Sequence, residues 1–274
     1  MDDFILEAVE RVIRDMKNNL GEQITIDDMA RTAMFSKFHF SRMFQRATGI
    51  SPGRFLSALR LQEAKRLLLT SSMTVADISH LVGYNSIGTF SSRFRMSVGV
   101  SPTAYRHFGG YVAPLEERGP RRWLGRGERP ALRGHVYRPA DSRAGHVVLG
   151  LFPDRIAQGE PVRHATLAGG GEFTLADVPD GSWHLLARSV AVGHGEPDDD
   201  THDDTHDDTR DEVYVAAIGP ITVSSGTFLR PVDLWLRPRQ IFDPPALLAQ
   251  LDETMWAARA GVPGGADDTA LPGA

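Results

Sequence analysis

A chain of 274 residues is long enough for two modest domains, each with its own core. It contains no cysteine, which excludes disulfides, thiolate zinc sites, cysteine nucleophiles and regulators that accept a methyl group on a thiol. The formal net charge of −5 divides unevenly: residues 1–109 carry +4 and residues 110–274 carry −9, so a cationic surface for nucleic acid is confined to the first part.

The opening MDDFILEAVERVI is acidic and already helix-periodic rather than a basic-then-apolar leader, and no run of about 18 apolar residues follows anywhere. A soluble, cytoplasmic, nucleoid-associated protein is the expectation. From Asp2 to about Asn19, Phe4, Ile5, Ala8, Val9, Val12, Ile13 and Met16 recur at three-to-four spacing and predict an amphipathic helix.

An internal repeat comes next. ITIDDMARTAMFSKFHFSRMFQRATGISPGRF aligns with MTVADISHLVGYNSIGTFSSRFRMSVGVSPTAY at an offset of 49, rising to 50 after one inserted residue in the turn. Each shared position has a physical task. Thr25 and Thr74 cap a short helix, answered three residues later by Asp28 and Asp77 as an acidic capping box. A turn leads to a second helix, 36–47 in one unit and about 86–97 in the other, whose phenylalanines four apart (Phe40 and Phe44, Phe90 and Phe94) pack inward. Gly49 and Gly99 end these helices in the left-handed conformation, and Ser-Pro starts the next helix with proline in its first turn. Between the units, Ser51 to about Leu69 predicts one helix roughly 28 Å long, close to the ~34 Å of a DNA turn. A lone helix-turn-helix pattern is often an αα corner; two units sharing caps, glycines and Ser-Pro starts point to two recognition helices entering successive major grooves.

In SKFHFSRMFQRATGISP and VGYNSIGTFSSRFRMSVGVSP the chain resembles the DNA-binding domain of the AraC/XylS family of bacterial transcriptional regulators, over about residues 4–108. The resemblance implies sequence-specific DNA binding and transcription regulation through paired major-groove contacts. Carried over residue by residue, it places Lys37, Phe38, Ser41 and Arg42 of the first recognition helix on DNA, with Arg46 beside them. Arg42 is the candidate for a bidentate guanine contact. The matching positions of the second helix hold Ile87, Gly88 and Ser92, with Arg93 next door on what the spacing suggests is a different face. The first helix is therefore expected to discriminate sequence, and the second to position on phosphates through Ser86, Thr89 and Arg95. Arg42 and Arg93 also fit solvated surface residues or phosphate contacts. Met34 stands where the second unit has Gly83 and where the family commonly has glycine; a positive φ there strains methionine by about 1 kcal/mol. The family more often places this domain at the C-terminus, so the resemblance says little about the remaining half.

Residues 109–130, rich in Gly, Pro and Arg, read as a linker. Short alternating runs follow: RGHVYRP, GHVVLGLF, VRHATLA, GEFTLADVP, SWHLLARSVAV, EVYVAAI, PITV and VDLWLRP, which predict an all-β domain over 131–240. GEFTLADVPDGSWHLLA, preceded by LRGHVYRP and HVVLGLF, resembles the carboxypeptidase regulatory-like and transthyretin-like β-sandwich modules. The fold class expected is therefore a multidomain chain: an all-α tandem helix-turn-helix domain (1–108), then a sandwich-like regulatory or interaction domain (131–240), then a C-terminal helix.

Within the β part, 194–212 is a low-complexity acidic insert, too polar to pack and expected to be disordered. Its THDDTHDDTRD run invites a metal reading, but a solvated charge run lacks the rigid second shell that a site needs, so no metal and no cofactor are expected. Histidines 135, 146, 164 and 184 scatter one per strand or turn, and no Ser-His-Asp order, phosphate loop or close carboxylate pair stands out, so no enzyme is expected. A final helix is predicted in 241–260, from about 245 to 258, with Leu247, Leu248, Leu251, Met255 and Trp256 on one side as a packed flank or a dimer face. The tail 261–274 is expected to be disordered. Candidate partners are double-stranded promoter DNA, RNA polymerase, a small-molecule effector and a second copy of the chain, with no membrane. The alternative is a non-specific architectural DNA-binding protein, which would need a larger basic excess.

Overall fold

The computed structural model describes residues 3–112, 130–140, 146–190, 213–224, 226, 228–248 and 250–251. The acidic insert, the tail and most of the expected linker lie outside these residues.

The first part is helical: α1 (Asp3–Asn18), α2 (Ile26–Ala33), α3 (Lys37–Thr48), α4 (Pro52–Thr70), α5 (Val75–Leu81), α6 (Ile87–Val98) and α7 (Pro102–His107). These bounds match the expected helices to within a residue or two. The face of α1 picked out by its periodicity buries Ala8, Val9, Val12, Ile13 and Met16. Helix α4 buries Phe55, Leu56, Ala58, Leu59, Leu61, Ala64, Leu67 and Leu68, which spread around most of its circumference because other elements close on it from several sides. Two aromatic steps repeat in the cores of the two units. Phe44 meets Phe55 edge-on at 5.4 Å between ring centroids, and Phe94 meets Tyr105 in the same way at 5.6 Å.

The second part contains ten strands among the described residues: β1 (Tyr111–Val112), β2 (Leu132–Tyr137), β3 (His146–Phe152), β4 (Arg163–Ala168), β5 (Gly171–Leu175), β6 (Gly181–Val190), β7 (Tyr214–Val223), β8 (Val232–Trp235), β9 (Arg237–Pro238) and β10 (Gln250–Leu251). Sheet order is β5-β2-β8 in one sheet and β4-β3-β6-β7-β9 in another, while β1 and β10 form a parallel pair. Val136, Phe173 and Leu234 of the smaller sheet share one apolar core with Val147, Leu149, Leu151, Leu185 and Tyr214 of the larger. Alternation decides which residues turn inward: β5 buries Phe173 and Leu175 and exposes Glu172 and Thr174. EVYVAAI and PITV, expected as separate strands, are one strand. The register jumps between Trp183 and Leu185, so Gly219 and Pro220 stand as a bulge opposite His184, which is how a ladder accommodates proline.

The C-terminal expectation requires correction. Residues 241–248 form a turn and irregular backbone, not the start of a helix, and β10 follows; 252–260 lie outside the described residues. Pro244 and Pro245 fix φ and remove two backbone donors, and Leu247, 1% exposed, enters the core of the helical part, with Ile241 and Phe242 packed against it. β1 was likewise hidden inside the expected linker.

The two parts therefore touch. Ile156, in the β3–β4 loop, is 2% exposed and belongs to the helical core alongside Leu247. Burying such a side chain contributes about 1.5–3 kcal/mol. Leu247 and Leu248 donate their backbone N–H groups to Ala157 O at 2.8 and 3.3 Å. Lys65 of α4 in turn donates Nζ to Leu248 O at 2.7 Å and lies over the Tyr105 ring, 5.8 Å from its centroid. Burial, with the nearby Arg188 charge, pushes Lys65 down from the usual lysine value of 10.5 to about 7. A lowered lysine binds its proton more weakly when folded than when unfolded, so it makes stability rise with pH from about 7 towards its unfolded value. Urea unfolding at about pH 6 and about pH 9 should show the wild type gaining stability at the higher pH relative to Lys65→Met, which lacks this titration.

Candidate nucleic-acid interface

The two recognition helices are set by the same local chemistry. Thr25 Oγ1 accepts from Asp28 N at 3.2 Å while Asp28 Oδ2 accepts from Thr25 N at 2.9 Å; Thr74 and Asp77 repeat this at 3.1 and 3.3 Å. The hydrogen bonds from Thr25 hold the Asp28 carboxyl below the usual carboxylate range. The turns match as well. Phe35 N donates to Ala30 O and Met34 N to Arg31 O, and Tyr84 N to Ser79 O and Gly83 N to His80 O, all at 2.9–3.0 Å. Met34 has φ 59° and Gly83 φ 84°, so methionine does occupy the left-handed position, its side chain 69% exposed. At Gly83 a Cβ would sit 2.5 Å from Leu20 O, which excludes any side chain independently of φ. Ser36 and Ser86 then cap α3 and α6, each Oγ accepting at 3.4 Å, from His39 N and Thr89 N. Gly49 (φ 80°) and Gly99 (φ 97°) end the same helices.

On α3, Phe40 and Phe44 face the core, and Lys37, Phe38, Arg42 and Arg46 are exposed with Ser41 half-buried among them. Phe38, at 83% exposed, is the one phenylalanine of this helix outside the core. Lys37 pairs with Asp27 through a 2.9 Å contact, so its charge is partly satisfied at home. On α6, Ser86, Ile87, Thr89, Ser92, Arg93 and Arg95 are all exposed. Arg42, Arg46, Arg93 and Arg95 form no ion pair with the described residues.

Arg93 lines a shallow groove with Ser86 and Thr89, beside Gly53, Ser57, Arg60 and Asn85, and so shares the face of those two residues, while Ile87, Gly88 and Ser92 do not line it. Spacings of three and four along 86, 89 and 93 account for this. Asn85, the inserted residue of the second turn, also lies at this groove and accepts from Gln23 Nε2 at 3.4 Å; the insertion itself was its only signal in the sequence. Arg60 in the groove is structural, donating Nε to Leu20 O at 2.9 Å and Nη2 to Glu22 O at 2.6 Å.

Residues 29–107 match a family described as a helix-turn-helix domain. The N-terminal part is an AraC-type DNA-binding domain. This AraC-type domain is 30% identical over 105 residues to the lactose operon transcription activator of Staphylococcus xylosus, covering 38% of each chain, and 29% identical over 103 residues to the transcriptional activator AarP of Providencia stuartii, covering 38% of this chain and 76% of that one. The chain thus spans little over a third of the length of the lactose operon activator. The C-terminal domain of AraT, a response regulator from Geobacillus stearothermophilus, is 29% identical, covering 37% of this chain and 84% of that one, with a TM-score of 0.36.

The two turns of the AraC-type domain should respond oppositely to substitution. Met34→Gly relieves a left-handed methionine and should raise stability by roughly 0.5–1 kcal/mol, whereas Gly83→Ala should lower it by more than about 1 kcal/mol; urea titrations of both variants provide the check.

Proposed function

We propose that the protein is a sequence-specific, DNA-binding transcriptional regulator that reads two successive major grooves with α3 and α6. The observation that carries this reading is the pairing of two equivalently capped helices on one shared core, each exposing arginines with no carboxylate partner among the described residues. With 19 residues, α4 is roughly 28 Å long, close to the ~34 Å pitch of B-DNA. Arg42 reads a base, with Lys37, Phe38, Ser41 and Arg46 around it. Ser86, Ile87, Thr89, Ser92, Arg93 and Arg95 fix the second helix on the adjacent groove, chiefly through phosphates. The second part, over 131–240, serves as a β-sandwich domain for effector sensing or self-association; the core shared between its two sheets supports the sandwich architecture.

Site selection from a random DNA pool with the full-length protein should recover a split motif spanning about one helical turn. Arg42→Ala should cost about 1–3 kcal/mol at the selected site and relax one base position, whereas Arg93→Ala should weaken all sequences alike and reduce the salt slope by about 1. Recovery of no motif, with steeply salt-dependent and equal affinity for every sequence, would overturn the reading in favour of architectural binding.

A further inference from the structure

The loop joining β3 to β4 reaches both helix-turn-helix units. In the first unit, Arg155 lies over the C-terminal cap of α3, so that a Cβ on Gly49 would meet its side chain at 2.5 Å, and Asp154 pairs with Arg54 in the first turn of α4 through a 2.5 Å contact. In the second unit, Gly159 N donates to Ser97 O at 2.8 Å, Ser97 Oγ donates to Gln158 Oε1 at 3.3 Å, and a Cβ on Gly159 would lie 3.2 Å from Met96 O. Met96 and Ser97 belong to the last turn of α6. Between these two attachments Ile156 enters the helical core, and Ala157 O receives the backbone of Leu247 and Leu248, whose own carbonyl is held by Lys65 of α4. Six residues, 154–159, thus connect the C-terminal end of one recognition helix to that of the other.

The attachments lie in the last turns of the two helices, the turns that also carry Arg46 and Arg95, and away from Lys37, Phe38, Ser86 and Ile87 at the N-terminal ends. Its contacts also differ in kind. The Arg54–Asp154 pair is solvent-exposed and weak by itself, whereas the buried Ile156 and the backbone hydrogen bond to Ser97 fix position. Within the helical part the two units meet along their shared core and where Gln23 Nε2 donates to Gly83 O and Asn85 Oδ1; the loop adds an independent link between the C-terminal ends of the two recognition helices and restricts their relative motion further.

We infer that the β3–β4 loop, through Asp154, Ile156 and Gly159, is a brace that sets the separation and relative rotation of the two recognition helices, and thereby selects the spacing between operator half-sites. Ile156 and Asp154 are positioning residues that touch no DNA. The inference rests on the two-groove reading above and adds to it the origin of spacing selectivity. One base pair inserted between half-sites rotates the second by roughly 35° about the duplex, so a braced protein tolerates it poorly and an unbraced one absorbs it.

The test uses full-length protein and duplexes carrying the selected half-sites with the separation varied one base pair at a time. The wild type should prefer one spacing over its neighbours by roughly tenfold. Ile156→Ser and Asp154→Arg should each reduce that ratio to below about threefold while leaving affinity for an isolated half-site unchanged, and the reciprocal Arg54→Asp/Asp154→Arg protein should recover it. An unaltered ratio in both single variants, with circular dichroism showing them folded, overturns the inference. A loss that the reciprocal pair leaves uncorrected counts against it too, since general damage to the fold would produce the same effect. A wild type with no preferred sequence at all defeats the two-groove reading itself, and is distinguished from failure of the brace because the wild type then lacks any ratio to change.

Discussion

The two helix-turn-helix units share one hydrophobic core, and α4 runs through it, packed directly against α3 and joined to α6 by way of α5 and α7. Phe44 and Phe94, on the inner faces of α3 and α6, each find an aromatic partner immediately past a Ser-Pro start, Phe55 within α4 and Tyr105 within α7, and α4 carries apolar residues around most of its surface to serve both cores. A helix buried on several sides cannot slide or rotate without opening a cavity on one of them, and cavities in close-packed cores are costly. The separation of α3 and α6 is in this sense a packing quantity, fixed by apolar side chains of the core.

The exposed faces follow from the same constraint. Once Phe40, Phe44, Phe90 and Phe94 point inward, helical periodicity turns Arg42, Arg46, Arg93 and Arg95 outward, where they form no ion pair with the described residues. The net charge of −5 is no obstacle, because the acidic excess lies in the second part of the chain. The N-terminal caps and the left-handed turns determine where each helix begins, and hence which residues its first turn exposes.

The second part is more than an appendage to this domain. Ile156 and Leu247 insert into the helical core, and Lys65 reaches across to the Leu248 carbonyl at the cost of its own charge stability. Contacts of this kind couple the state of the β region to the geometry of the helices, which is the physical requirement for any regulation of DNA binding from that region.

The sequence by itself determined the helices, their caps and the repeat, because these are local: a threonine three residues before an aspartate, a glycine at a helix end and phenylalanines four apart act over a few residues. It also determined most strands, through period-two alternation bounded by turn residues. Only the tertiary structure decided what depends on distant partners. Gly219-Pro220 became a bulge inside one strand rather than a break between two, and residues 246–248 gave up helical periodicity to place Leu247 in another domain's core. Ile156 was legible only as a lone apolar residue in the polar loop PDRIAQG; that it belongs to the core beneath both recognition helices is a matter of which surface the loop meets, and no local pattern encodes that.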